Sequence, residues 1–111
     1  MPKKKGYLYF RIHPSYSEYC KFGSTINIPE RDSYYITGEL IRGKFIKVIQ
    51  IIDEHCEEKN FIVKIEKIIQ RYFKIYNNYA GAGTEFYNKV MIDEIDEYLK
   101  KTNLDYNILS D

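Results

Sequence analysis

Two short segments near the start of the chain alternate between apolar and polar side chains, and this alternation constrains the fold most strongly. In residues 6–12 every second side chain, from Leu8 to Ile12, is apolar, and residues 19–23 repeat the pattern. A period of two is that of a half-buried β-strand. Because the intervening linker turns the chain, the sequence predicts a hairpin with one apolar face and one polar face.

Matching the apolar faces of these two strands determines which polar side chains become neighbours. Side chains alternate strictly along a strand, so opposed residues on paired strands share a face. The pairing predicts that Tyr9 and Lys21 emerge together on the polar face. A phenol beside an ammonium group offers a proton acceptor next to a cation.

A short helix is predicted after the hairpin. Asn27, with Glu30 three residues later, resembles a helix-capping box, and Gly38 supplies a stop. Within these limits Arg31 and Tyr35 lie one turn apart on one face. An arginine can clamp a phosphate through two parallel hydrogen bonds and stays charged. Tyrosine, lysine and arginine together are the groups that hydrolysis of a phosphodiester requires.

The rest of the chain predicts one buried strand and two amphipathic helices. Residues 45–52 are almost wholly apolar and β-branched, as in a central strand. Residues 54–76 have the apolar spacing of a long helix, in which Glu66 falls at the margin of the apolar stripe and needs a partner. Residues 84–87 are predicted to be extended and 90–101 helical. The fold class is therefore α/β, in the mixed α+β sense.

Length and composition indicate one domain. The 111 residues form a single unit, with a core over residues 6–101 and a loosely held tail over 102–111. No apolar run approaches the roughly 20 residues of a membrane span. Cys20 and Cys56 lack paired or metal-binding spacing, which indicates reduced thiols. We therefore expect an intracellular protein, not a secreted one, with no membrane association.

Charge is distributed unevenly along the chain. The first fifty residues contain nine Lys/Arg against four Asp/Glu, and the remainder eight against twelve, for a net charge of +1. Such a small net charge argues against a strong general affinity for nucleic acid. The basic half contains the tyrosine, lysine and arginine described above, although an asymmetry of this size also arises by chance.

The order and spacing of these residues resemble the GIY-YIG nuclease superfamily, most closely its compact phage and large-virus branch. Gly6-Tyr7-Leu8-Tyr9 fits the first motif of that branch, Gly-Tyr-x-Tyr. Lys21-Phe22-Gly23-Ser24-Thr25 fits the second, Lys-x-Gly-x-Thr. Arg31 follows Lys21 by ten residues, as in the superfamily, and Tyr35 stands four further on, where an aromatic residue or histidine is usual.

The later part of the chain extends the resemblance to about residue 88. Residues 66–73 are similar to the acidic helix of the branch, and residues 83–87 to its ending of glycine, glutamate and paired aromatics. Ser24 departs from the pattern, because relatives commonly have a lysine there. The late asparagine of the family corresponds to either Asn77 or Asn78.

The resemblance implies a small three-stranded antiparallel sheet flanked by helices, and cleavage of DNA with a single divalent cation, Mg²⁺ or Mn²⁺. By that likeness Tyr9 acts as general base with help from Lys21. Arg31 clamps the scissile phosphate, and Tyr35 positions water or the leaving oxygen. Glu66 holds the cation. An ordinary phenol has a pKa of about 10, so a neighbouring ammonium is the perturbation that such a base needs.

Three alternatives remain open at the level of sequence. Glu66 has a structural alternative in pairing along its helix with Gln70. The whole chain has an alternative as a catalytically silent nucleic-acid-binding or protein-interaction module that retains the fold, or as an RNA-processing factor. Because the chain has no room for a recognition domain, a nuclease of this size needs a separate targeting partner, a homodimer, or little sequence selectivity.

Overall fold

The computed structural model describes residues 4–15, 18–38, 41–53, 61–77 and 86–110 of the chain. Eight helices and strands and one short 3₁₀ turn occur in these ranges. They are β1 (Lys4–Ile12), β2 (Tyr19–Thr25), α1 (Ile28–Gly38), β3 (Lys44–Asp53), α2 (Phe61–Tyr72), the 3₁₀ turn (Lys74–Tyr76), β4 (Phe86–Asn88), α3 (Val90–Lys100) and β5 (Asp105–Ser110).

The strands form one antiparallel sheet in the order β4-β2-β1-β3-β5. The α+β class is confirmed, but the expectation of three strands is wrong because the sheet has five. The fifth strand comes from the segment that we expected to be loosely held. Leu104 and Tyr106 pack against the core from that segment, and Tyr106 lies opposite Ile51 of β3. These apolar contacts explain why the segment joins the sheet.

The register between β1 and β2 gives the sheet two different faces. Phe10 lies opposite Phe22, whereas Tyr9 lies opposite Gly23 and Arg11 lies opposite Lys21. The apolar face packs against α2 and α3 and forms the core, in which Leu8, Phe10 and Phe22 are fully buried. The predicted hairpin and the predicted shared face of Tyr9 and Lys21 are therefore confirmed.

Helix α2 crosses the apolar face close to the backbone of β1. A side chain at Gly6 would place its Cβ 2.6 Å from the Cβ of Ile62, so this crossing requires a glycine. The helix was predicted over residues 54–76; it is seen as Phe61–Tyr72 followed by the 3₁₀ turn, and residues 54–60 lie outside the described residues. No helix in the described part of the chain is long and apolar enough to cross a membrane.

Helix α1 follows β2 through a capped turn and lies over the polar face. The side-chain oxygen of Asn27 accepts a hydrogen bond from the backbone N–H of Glu30 at 3.1 Å, as the capping pattern predicts. The backbone N–H of Asn27 donates to the hydroxyl of Thr25 at 3.1 Å. This pair of bonds holds the start of the helix against the end of β2.

A partly buried ion pair joins the sheet to the last helix. The ammonium of Lys47, which is 6% exposed, lies 3.0 Å from the carboxylate of Asp96 and donates to the backbone carbonyl of Ile92 at 3.1 Å. These two contacts tie α3 to β3.

Cys20 provides a chemical test of this core. It lies on the apolar side of β2 with no exposed surface, and burial raises the pKa of its thiol to about 12, with Lys89 opposing the shift. At pH 8 the folded protein therefore contains about a thousandfold less thiolate at this position than an exposed cysteine provides. In a Cys56→Ser variant, we expect the remaining thiol to react with a disulfide reagent at least about 100-fold more slowly in native buffer than in denaturant. Equal rates would contradict the placement of β2 in the core.

Candidate functional site

Tyr9 crosses from β1 over the backbone of its neighbour β2. A Cβ atom at Gly23 would lie 2.5 Å from the hydroxyl oxygen of Tyr9 and 2.7 Å from its Cζ. Both distances are too short for any side chain, so the ring occupies this position only because residue 23 is glycine. The glycine of the second motif therefore has a packing role in this chain.

The hydroxyl of Tyr9 meets the hydroxyl of Tyr35, which α1 brings over the same face. The two oxygens are 2.9 Å apart, and either is able to donate the hydrogen. Phe45 of β3 packs edge-on against Tyr9 with ring centroids 5.1 Å apart. Tyr9 is 3% exposed, because α1 covers the polar face at this point, whereas Tyr35 is partly exposed. Within the pair, Tyr35 is thus the residue with the greater exposure.

Two cations lie over the ring of Tyr35. The ammonium of Lys21 is 4.9 Å from the ring centroid, and the guanidinium carbon of Arg11 is 4.2 Å from it. Lys21 was predicted beside Tyr9 and contacts the partner ring of that tyrosine. Arg11 was not predicted as a site residue, yet it is fully buried. The sequence signal that could have identified Arg11 was its predicted position opposite Lys21 in the hairpin. Both cations therefore lie at cation–π distance from the Tyr35 ring.

Glu66 lies on the other face of the sheet, held by two hydrogen-bond donors. The hydroxyl of Ser24 donates to one carboxylate oxygen in a short contact, and the side-chain amide of Gln70 donates to the other at 2.7 Å. The pairing with Gln70 matches the structural alternative considered from sequence. Ser24, noted only as a departure from the family pattern, was not anticipated as a partner.

The side chains around Glu66 suit a cation that keeps most of its water ligands rather than one enclosed by protein ligands. In the described ranges, no three His, Cys, Asp or Glu residues form a group able to hold a metal ion. Mg²⁺ is commonly bound by one or two carboxylates, with water and substrate phosphates completing its octahedron. Glu66 is a carboxylate of the type that would serve as such a ligand.

Arg31 lines a surface hollow of about 270 Å³ between the start of α1 and helix α2. Ser24 and Tyr34 also line it, and Ile62 faces it from α2. The guanidinium of Arg31 lies 5.9 Å from the ring centroid of Tyr34. Asp32, a sequence neighbour available to pair with Arg31, instead binds Arg42 at 2.6 Å. Arg31 is therefore placed at a concave surface that is large enough for a phosphate.

These groups gather around one end of β2. Strand β4 pairs with only Tyr19–Lys21, so in the part of the chain that the structure describes no strand pairs with the outer edge beyond Lys21. Gly23 and Ser24 are consecutive and face opposite sides of the sheet. The tyrosine pair thus reaches this strand end from one face and Glu66 from the other. Arg31 lies in the hollow that Ser24 also lines.

The remaining predicted positions fall partly outside the described residues. Asn78 and Glu85 lie in the segment 78–85, which the structure does not describe. Asn77, the other candidate for the late asparagine, donates from its amide to the backbone carbonyl of Phe86 at 3.3 Å. That contact ties the end of the 3₁₀ turn to β4.

Comparison of the chain with protein-family models, with curated proteins and with solved structures gave no match. The motif spacing and the geometry at the end of β2 are therefore the observations on which a function is proposed.

The packing of Tyr9 on Gly23 predicts strong coupling between the two positions. We expect Gly23→Ala to lower the free energy of unfolding by about 1–3 kcal/mol, the usual cost of overpacking a filled site. In a Tyr9→Ala background the added methyl group meets open space, and the same substitution is expected to cost less than about 0.5 kcal/mol. Urea denaturation of the four proteins measures both values. Equal costs in the two backgrounds would show that Tyr9 does not lie over Gly23.

Proposed function

We propose that the protein is an endonuclease of the GIY-YIG type that hydrolyses phosphodiester bonds in DNA and depends on a divalent cation. The observation that carries the proposal is that residues at the end of β2 contact or adjoin each of three groups. The tyrosine pair lies over Gly23, Glu66 binds Ser24, and Arg31 lines the adjoining hollow. A base, a cation-binding carboxylate and a phosphate-binding guanidinium are the components that this hydrolysis needs.

The tyrosine pair supplies the proton acceptor. The acceptor is the pair in its phenolate form, after one of its two hydroxyl protons has passed to solvent, with Tyr35 as the partly exposed member and Tyr9 as the buried member that shares its hydrogen bond. Lys21 and Arg11 offset the negative charge that a phenolate brings into this site. The attacking water gives a proton to this phenolate while its oxygen forms a bond to phosphorus, and the bond from phosphorus to the bridging oxygen breaks, so that this oxygen leaves and takes up a proton from solvent.

Arg31 and Glu66 act on the phosphate. The guanidinium of Arg31 donates two hydrogen bonds to the phosphate oxygens and offsets the charge that develops on them. Glu66 is the ligand for Mg²⁺ or Mn²⁺, and the ion when bound supplies a Lewis acid for the phosphate oxygens. Ser24 and Gln70 hold the carboxylate in one orientation before any ligand arrives.

A silent binding module is the second candidate, and two observations favour it. Tyr9 has only 3% of its surface exposed, and both carboxylate oxygens of Glu66 already accept hydrogen bonds from protein groups. A chain that retained the fold without chemistry would tolerate both features. Such a module would bind nucleic acid through Arg31 without cutting it.

The cleavage test uses purified protein and supercoiled plasmid. We expect wild-type protein to nick the plasmid with Mg²⁺ or Mn²⁺ and to lose this activity in EDTA. Arg31→Ala and Glu66→Gln are each expected to lose at least about 100-fold, the usual effect of removing one transition-state charge stabiliser. Arg71→Ala and Asp93→Ala remove matched charges from exposed helix positions and are expected to retain wild-type activity.

Three results would contradict this assignment. Equal nicking by wild type, Arg31→Ala and Glu66→Gln would show that the activity lies elsewhere, and binding of DNA without nicking under any metal condition would favour the silent module. Faster cleavage of an RNA strand than of a DNA strand of the same sequence would identify an RNA-processing enzyme instead. The dependence of the nicking rate on protein concentration shows whether a second copy of the chain is required.

A further inference from the structure

The hollow that contains Arg31 has two large apolar side chains exposed at its rim. Ile26 is 70% exposed in the turn between β2 and α1, and Tyr34 is 65% exposed on α1. Both line the hollow, together with Arg31. Single exposed apolar residues are ordinary, but two of them flank one hollow whose lining also contains the guanidinium of Arg31 and the carboxylate of Glu30, which indicates a surface that is covered when a ligand binds.

The start of α1 holds both the rim residues and Arg31 in place. Tyr34 follows Arg31 by one helical turn, and its ring centroid lies 5.9 Å from the guanidinium carbon. Ile26 precedes Asn27, the residue that caps α1. Because the cap fixes the turn against the helix, the spacing between Ile26 and Tyr34 is set before a ligand arrives. A preorganised surface of this kind loses little conformational freedom on binding.

The size and polarity of the hollow suit one planar group. Its volume of about 270 Å³ falls just below the roughly 300–1,000 Å³ of sites for drug-sized ligands. Asn27 and Glu30 add a polar side to the apolar rim. A nucleobase has apolar faces and polar edges, and it is attached through a sugar to the phosphate that a guanidinium attracts. A nucleotide therefore fits the combination of Arg31, Ile26 and Tyr34.

We propose that Tyr34 and Ile26 bind the nucleobase next to the scissile phosphate, and that the protein consequently selects nucleic acid in which this base is unpaired. This inference rests on the proposed function, whose substrate class it specifies. In a duplex the faces of each base are covered by its neighbours, so contact with a tyrosine ring requires a single strand, a loop or an extruded base. Arg31 binds the phosphate of paired and unpaired nucleotides alike, and contact of the base with Tyr34 and Ile26 distinguishes the unpaired nucleotide from the paired one.

The inference is tested by a thermodynamic cycle of binding affinities, in which the tyrosine ring is removed from the protein or the bases are removed from the strand. The probes are a ten-residue oligothymidylate and a ten-residue abasic strand with the same phosphates, and affinities are measured in EDTA so that no cleavage occurs. For wild type we expect the abasic strand to bind about 10-fold more weakly, within the range for loss of one aromatic stack. Tyr34→Ala is expected to bind the two strands within about 2-fold of each other, whereas Tyr34→Phe retains the wild-type ratio.

A second measurement reports on the ring directly. The chain contains no tryptophan, so Tyr34→Trp introduces a single indole. We expect oligothymidylate to quench its fluorescence and the abasic strand to leave it unchanged. Ile26→Ala is expected to weaken oligothymidylate binding at least about 3-fold. The control Ile75→Ala, at a position 84% exposed beyond α2, is expected to leave it unaltered.

The failure of this inference is distinguishable from the failure of the proposed function. If Tyr34→Ala keeps the wild-type ratio between the two strands while wild type still nicks plasmid in an Arg31-dependent manner, base binding at the rim is wrong and the nuclease assignment stands. If wild type does not nick plasmid under any metal condition, the proposed function is wrong; if Arg31→Ala nicks and binds as wild type does, the active site lies elsewhere, and base binding at this rim next to a scissile phosphate is overturned with it.

Discussion

The candidate site depends on the absence of a side chain at residue 23. Only glycine lets Tyr9 cross β2, because a Cβ atom at residue 23 would lie 2.5 Å from the hydroxyl oxygen of Tyr9. In that position the hydroxyl reaches Tyr35, so α1 is fixed over the same face and carries Arg31 to the end of the strand. The next residue, Ser24, faces the other way and binds Glu66. Two consecutive residues thus connect opposite faces of the sheet at one strand end, and every group in the proposed chemistry is placed relative to them.

Burial fixes the side chains of this arrangement in place, but it also limits the access of substrate to Tyr9. Arg11 is completely buried, with its guanidinium 4.2 Å from the ring centroid of Tyr35 and 5.6 Å from that of Phe45. A cation held against aromatic faces in this way contributes about 2 kcal/mol of attraction when desolvated. The same packing leaves Tyr9 almost inaccessible. In our account Tyr35 supplies access to the site, because it is partly exposed and shares a hydrogen bond with the buried hydroxyl. The tyrosines therefore act as a pair.

The sequence predicted the elements whose signals are local. Alternation identified β1 and β2, Asn27 identified the start of α1, and the three-to-four-residue spacing around Ile69 identified α2. Strand β5 was missed although Leu104 and Tyr106 alternate, because pairing with β3 is a long-range contact that a short polar segment does not reveal. Ser24 was missed as a partner of Glu66 for a similar reason, since the two are 42 residues apart. The burial of Arg11 was unpredictable, because a strand arginine is ordinarily solvated and long-range packing of α1, Gly43 and Phe45 covers it.

The most direct measurement is the location of a paramagnetic Mn²⁺ ion by amide NMR, in the presence of an oligonucleotide with phosphorothioate linkages that resist hydrolysis. The account predicts that signals of Ser24, Glu66 and Gln70 broaden first, that Gly23 follows, and that Glu66→Gln abolishes the effect. Broadening centred on the exposed carboxylates of α3, or unchanged by Glu66→Gln, would contradict the convergence of a cation, a phosphate and the tyrosine pair at the end of β2.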